Sequence, residues 1–317
     1  MTIQEPSSIS LLSPTGRFAP SPTGPLHYGS LLTAVASYLN IRANNGTWLV
    51  RIDDLDPPRE MPGAVSEILH ALEVYGLHWD QDIVYQSKRQ HIYDEALAKL
   101  QEKGLVYFCS CSRKDILERG ERVYSGHCRK GHLAGRKQYA MRIKVPQTTL
   151  SWNDLIQGPQ ITELFQANGD FVVRRADGLY AYHLAAVIDD AAQRITESIR
   201  GADLLPSTSA QRYLQQVLDI EPPEYGHIPV AVNEKGEKLS KQAGATPIST
   251  VDPATTLCKV LQDLGQAPPE DLEASSVSDI LRWGQKNWSL DNVPARHTLT
   301  ALRSTSLINK NRRKRIV

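Results

Sequence analysis

The stretch "RFAPSPTGPLHYGS", Arg17 to Ser30, places three prolines, two glycines and a histidine directly ahead of an apolar helical pattern. A plain turn needs far less. Proline fixes φ and removes a donor, so this loop is stiff and its direction preset. Gly24 and Gly29 let other groups approach the backbone closely. A helix is predicted from Tyr28 to Asn44, because Tyr28, Leu31, Leu32, Val35 and Leu39 share one face and Gly46 marks a stop. Gly29 then lies in the first helical turn, where free N–H groups and a partial positive charge suit a phosphate. His27 adds a donor beside it. A rigid strand–helix corner with a surface histidine is the plainer alternative.

Outward from that loop, strand and helix signals alternate. "TWLVRI" reads as a β-rich buried strand and "DDLDPPRE" as a polar loop leading into a helix from Met61 to Tyr75. "SKRQHIYDEALAKLQEKG" reads as a helix capped by Ser87 and stopped by Gly104, and "LVYFC" as a strand. The rhythm predicts an α/β fold with a parallel sheet. Residues 109–136 interrupt it. Strands at "YAMRIKV" and "FVVRR" follow, then a helix around "YAYHLAAVIDDAA". Strands "TESIRG" and "HIPVAV" flank a helix from Ser207 to Leu218, and the chain beyond Thr246 reads helical. Lys and Arg number 36 against 35 Asp and Glu, so bulk charge argues neither for nor against a nucleic-acid partner. The N-terminus lacks a signal-peptide pattern, and no apolar run approaches the roughly 18 residues of a membrane span. A cytoplasmic protein with no membrane partner is expected.

Two further clusters carry chemistry. "EKLSKQ" sets Lys238 and Lys241 around Ser240, as point charges suited to phosphates. Cys109, Cys111 and Cys128 fall within one short insertion, a credible zinc set. A tetrahedral site needs a fourth ligand; His127 and His132 are ordinary choices and Tyr124 an unusual one. Cys258 sits on an apolar helical face and reads as core.

"PLHYGS" and "KLSKQ" resemble the HIGH and KMSKS signatures of class I aminoacyl-tRNA synthetases. With "RIDDLDPPRE", "YAYHLAAVIDD" and "IRGADLL" between them, they resemble the glutamyl branch of that class over residues 13–245. The resemblance implies a Rossmann-type catalytic domain with ATP at the carboxyl ends of the strands. It implies a zinc-binding insertion at about 109–136 and a helical C-terminal subdomain at 246–317, which ends in a basic tail. In such enzymes the glutamate carboxylate attacks the α-phosphate of ATP, and pyrophosphate leaves. The resemblance places ATP, with Mg2+, at His27, Gly29, Lys238 and Lys241, with His27 and Lys241 catalytic. It places glutamate along Arg17, Phe18, Ala19, Pro20 and Ser21 and at Asp53, Tyr182 and Arg200. The chemistry agrees: Arg17 and Arg200 can each grip a carboxylate through a planar fork, Asp53 can accept from the ammonium, and Tyr182 offers a hydroxyl. The branch usually has Glu where this chain has Asp53, so the shorter arm must reach further to the amine. Without the resemblance, Arg200 could simply pair with Asp203 on the surface.

The arrangement C-x-C…Y-x-x-x-C resembles the queuosine-glutamylating subfamily, in which the tyrosine is the fourth ligand of one structural zinc. Only 75 residues follow Gln242, too few for the large anticodon-binding region of full synthetases. The subfamily implies glutamate activation without tRNA, then transfer to the queuosine base at the wobble position of tRNA(Asp), by a monomer. Two rival readings are a truncated synthetase charging a tRNA 3′ end, and a non-catalytic zinc-dependent RNA-binding module with a relic nucleotide site. Retention of His27, Lys241 and Arg17 counts against the relic.

Overall fold

The computed structural model describes residues 13–131, 135–233, 236, 238 and 247–300. Its centre is a five-stranded, all-parallel sheet. β1 (Thr15–Phe18) leads through the proline-rich loop into α1 (Tyr28–Arg42) and then β2 (Thr47–Ile52), which pairs with β1 in the register Arg17 to Leu49. α2 (Ala64–Val74) returns the chain to β3 (Val84–Tyr85) at the sheet edge. α3 (Gln90–Glu102) carries the chain away from this sheet. β4 (Val106–Cys109), α4 (Arg113–Glu118), β5 (Ala140–Ile143), the hairpin β6 (Thr149–Asp154) and β7 (Gly158–Glu163), α5 (Leu164–Asn168) and β8 (Val172–Arg174) follow. α6 (Tyr182–Ala192) brings the chain back to β9 (Glu197–Gly201), and α7 (Leu205–Leu218) to β10 (Glu224–Ile228). The sheet order is β10-β9-β1-β2-β3. After β1 the chain winds to one side, and after α6 to the other. The crevice between β1 and β9 is therefore the topological switch point, where open parallel sheets bind ligands at the carboxyl ends of their strands.

β11 (Val230–Val232) pairs in parallel with β12 (Thr298–Thr300), and between them lie α8 (Pro253–Asp263) and α9 (Val277–Asn287). Pro229 separates β10 from β11, so "HIPVAV" serves two different sheets rather than one strand. Leu257 and Leu261 of α8 and Ile280 of α9 share one core with Leu31, Val35 and Leu39 of α1. This is why α1 is buried on nearly every side rather than along one stripe. Gly16 permits its close approach to β1, since a Cβ there would lie 2.5 Å from Ile41. Gly24 holds φ at +134°, in the region that favours glycine, and turns the stiff loop toward α1. Cys258 is core, as expected.

Two local expectations need correction. Ser87 is not an N-cap: its N–H and hydroxyl both donate to Asp54 (2.8 and 2.7 Å), and α3 starts at Gln90. The helix expected from Met61 begins at Ala64, because the chain first makes a 3-10 turn at Pro57–Arg59. The β6–β7 hairpin had no counterpart in the sequence reading. The boundary placed at 245/246, the basic tail, Lys241 and His132 lie outside the described residues.

Candidate active site

A cleft of about 450 Å³ opens over the carboxyl ends of β1, β2 and β9, walled by the proline-rich loop and the start of α1. Arg17, Phe18, Ala19, Pro20, Ser21, His27, Gly29, Asp53, Tyr182, Arg200 and Lys238 all border it. The fold thus gathers every expected glutamate and nucleotide residue that is described.

The cationic wall is deeply buried. Arg17 is 4% exposed and donates through Nε and Nη2 to the two carboxylate oxygens of Asp190 (3.1 and 3.2 Å). Arg51, entirely buried, donates to Asp190 Oδ1 (2.6 Å) and Asp53 Oδ1 (2.7 Å). Asp189 lies 3.9 Å from Arg51 and accepts from Arg89, Gln86 and Tyr93. Burial alone would raise the Asp190 carboxyl, but the two arginines outweigh it and hold it at about 2. For Asp53 burial prevails over the pull of Arg51 and pushes the carboxyl up to about 6. Arg200 does not pair with Asp203 on the surface, as the plainer reading had it. It is 3% exposed and donates to His227 Nε2 and Thr208 Oγ1, while Asp203 takes Lys238 (2.6 Å). The Arg200 Nη1 atom is buried and has no hydrogen-bond partner. Arg17 and Arg51 are thus tied to Asp190 and Asp53, whereas the Nη1 of Arg200 is left to meet an anionic group of a substrate.

On the opposite wall His27 caps α1. Its Nδ1 accepts from the Ser30 N–H (3.2 Å), so the ring proton resides on Nε2. Gly29 stands in the first turn, its N–H among the unpaired donors of a 15-residue helix. Pro247 bridges to His27, and Lys238 reaches Asp203. The described residues on both sides of the lysine loop therefore flank the cleft.

At the far end of β4, the sulfurs of Cys109, Cys111 and Cys128 lie within 4.8 Å of one another, with Cys111 to Cys128 at 3.6 Å. A tetrahedral zinc–thiolate set with bonds of about 2.3 Å has sulfur–sulfur edges of roughly 3.8 Å. The spacing therefore fits a metal. The Tyr124 hydroxyl stands 3.7 Å from Cys111 Sγ, whereas the exposed His127 imidazole is outside the set. Arg142 donates to Cys109 Sγ (3.2 Å) and lies 4.1 Å over the Tyr124 ring, offsetting anionic charge there.

Sequence reasoning missed Arg51, Asp190, His227 and Asp154. A cation inside the apolar run "TWLVRI" and the acidic pair ending "AAVIDD" were available signals for the first two.

The family model for tRNA synthetases class I (E and Q), catalytic domain, matches residues 15–282. The chain belongs to this family. It is an enzyme of the ligase type, built on the class I synthetase catalytic fold with a cysteine cluster that can hold zinc and a helical C-terminal region. It is 46% identical over 291 residues to a glutamyl-Q tRNA(Asp) synthetase of Vibrio vulnificus (strain YJ016), covering 92% of this chain and 94% of that one. It is 48% identical over 301 residues to a glutamyl-Q tRNA(Asp) synthetase of Neisseria meningitidis serogroup B (strain MC58), covering 90% and 99%. The crystal structure of a glutamate-tRNA synthetase from Elizabethkingia anophelis superposes with a TM-score of 0.77 at 26% identity, covering 90% of this chain and 67% of that one. No described helix of this class I synthetase is long and apolar enough to cross a membrane.

Proposed function

We propose that the enzyme activates L-glutamate with ATP in the absence of tRNA and then transfers it to the queuosine base at the wobble position of tRNA(Asp). The observation that carries the amino-acid assignment is the pair of buried arginines, Arg17 and Arg200, at the carboxyl ends of adjacent strands, the latter with an unpartnered Nη1. Glutamate brings two carboxylates to this wall and one ammonium. Arg17 and Arg200 grip the carboxylates, Asp53 and Tyr182 take the ammonium, and the backbone from Phe18 to Ser21 forms the floor. ATP, with Mg2+, lies along the start of α1, where His27, Gly29 and Lys238 meet phosphates and adenine. Lys241 neutralises charge as pyrophosphate departs. No covalent enzyme intermediate is needed: the site works by positioning and charge stabilisation. We assign the catalytic unit to residues 13–245 and the helical subdomain to 246–317, acting as a cytoplasmic monomer. The names of the curated relatives support the acceptor.

ATP–pyrophosphate exchange without tRNA tests this reading. Exchange is expected with glutamate and to fall by roughly 10–100-fold with glutamine, since a neutral amide leaves a buried cation unpaired at about 1–3 kcal/mol. Equal exchange with glutamine would reject the pocket.

The amine contact gives a pH signature. The Asp53 carboxyl stands at about 6, so lowering pH through that value protonates it and removes an acceptor from the ammonium. Asp190 stays ionised down to about 2, so the Arg17 clamp persists. Between pH 7 and 5 the KM for glutamate should rise roughly tenfold in the wild type and stay flat in Asp53→Asn. Parallel profiles for the two proteins would remove Asp53 from the amine site.

Cys109, Cys111, Cys128 and Tyr124 would hold one structural zinc. The metal, when bound, supplies folding free energy to an insertion with a very small core of its own. Elemental analysis should find about one zinc per chain, lost in Cys128→Ser. Wild-type protein prepared without chelator and free of zinc would contradict the assignment.

A further inference from the structure

β9 and β10 run parallel with Arg200 and His227 as register partners, so both side chains leave the same face of the sheet. Arg200 Nε donates to His227 Nε2 at 2.9 Å, Nη2 donates to Thr208 Oγ1 at 2.9 Å, and the Tyr225 ring lies 4.7 Å from the guanidinium carbon. A guanidinium can only donate. His227 Nε2 must therefore be a lone pair, and the ring proton belongs to Nδ1, which meets Asp154 Oδ2. Asp154 closes β6, in the β6–β7 hairpin, 73 residues before its partner. Its other oxygen accepts the backbone N–H groups of Ile156, Gln157 and His227 (3.1, 2.9 and 3.1 Å). Asp154 and His227 are at most 1% exposed and neither borders the cleft. Burial of a carboxylate and an imidazole is costly unless both are satisfied. This pair is satisfied, and its satisfaction fixes a third side chain.

We propose that Asp154 and His227 are positioning residues for amino-acid recognition: Asp154 holds His227 as the Nδ1–H tautomer, His227 Nε2 anchors Arg200 Nε, and Arg200 Nη1 is thereby left for a substrate carboxylate. The proposal rests on the reading that Arg200 meets glutamate. It makes the β6–β7 hairpin a determinant of specificity at a site it does not line.

Asp154→Asn is the discriminating variant. The amide oxygen keeps the backbone N–H partners, but the amide nitrogen now donates to His227 Nδ1. The ring proton is forced to Nε2, where it opposes Arg200 Nε–H, donor against donor. Wild-type exchange with glutamate is measured first; its absence rejects the underlying reading and the relay with it. Given wild-type exchange, the variant should show a KM for glutamate raised 10–100-fold, with KM for ATP and metal content unchanged. An unchanged glutamate KM, or a loss confined to kcat, overturns the relay alone. A readout on wild-type protein stands independently of the variant's folding. Imidazole 15N shifts, assigned through the stacked Tyr225 ring, should show His227 protonated on Nδ1 and bare on Nε2, with the Nδ1 proton moving on saturation with glutamate. A proton on Nε2 overturns the proposal.

Discussion

Labelled glutamate is expected on tRNA(Asp) that carries queuosine and on no tRNA(Asp) made in cells unable to insert it. The chemistry that leads to this expectation is general. An adenylate formed over the carboxyl ends of β1 and β9 needs a hydroxyl nucleophile, and the cyclopentenediol of queuosine offers two adjacent ones. The ribose at a tRNA 3′ end offers the same pair. The chemistry of transfer therefore leaves both acceptors open, and the names of relatives at 46–48% identity favour the modified base. The contrast is all or none because unmodified guanine has no such hydroxyl. Nuclease mapping should place the label in the anticodon loop. Label at the 3′ end of tRNA(Glu) would mean that the enzyme is a short glutamyl-tRNA synthetase. Phosphate contacts from Arg312, Arg313, Lys314 and Arg315 would add a steep dependence of binding on salt.

Arg51→Met is expected to cost about 3–5 kcal/mol of stability and to slow glutamate activation by roughly 100-fold. Removing one partner from a buried ionic cluster leaves charge behind without compensation. Here Asp53 loses its hydrogen bond from Arg51, and Asp190 loses the shortest of the three it accepts from arginines. Both groups border or hold the proposed amino-acid site, and a displacement of about 1 Å there suffices for a rate loss of that size. The pH dependence has a defined sign. Asp190 stands at about 2, below the roughly 3.9 of an unfolded chain, so its stabilisation is complete above about pH 4 and is lost as pH falls toward 2. Asp53 stands at about 6, so its contribution is present below about pH 4 and is lost as pH rises through 6. With Arg51 gone, Asp190 should titrate at higher pH and acid unfolding should begin earlier. Thermal melts from pH 3 to 8 measure both. A variant melting with the wild type throughout would show that the cluster contributes nothing net.

Much of this protein was legible in the order of its residues. The stiffness of Arg17–Ser30, the glycine in the first turn of α1 and the spacing of three cysteines are short-range properties. Each depends on residues within a few tens of positions, so each survives being read one stretch at a time. The alternation of strand and helix likewise predicted the parallel sheet before its order was seen. The β6–β7 hairpin escaped because "TLSWND" and "GPQITE" alternate with few apolar residues; what holds Asp154 and Leu155 against the sheet is hydrogen bonding to Tyr225 and His227, some seventy positions away. Arg51 escaped for a related reason. Its apolar strand hints that the charge is buried, but nothing within that strand names the partner, and Asp190 lies 139 residues further along. The same holds for Arg200, which stands beside Asp203 in the chain but pairs with His227 in the fold. Local periodicity determined where strands and helices form, because backbone and burial preferences act over a few residues. Which charges meet inside was decided only by the tertiary structure, because desolvation makes a buried charge depend on whatever partner the fold brings to it.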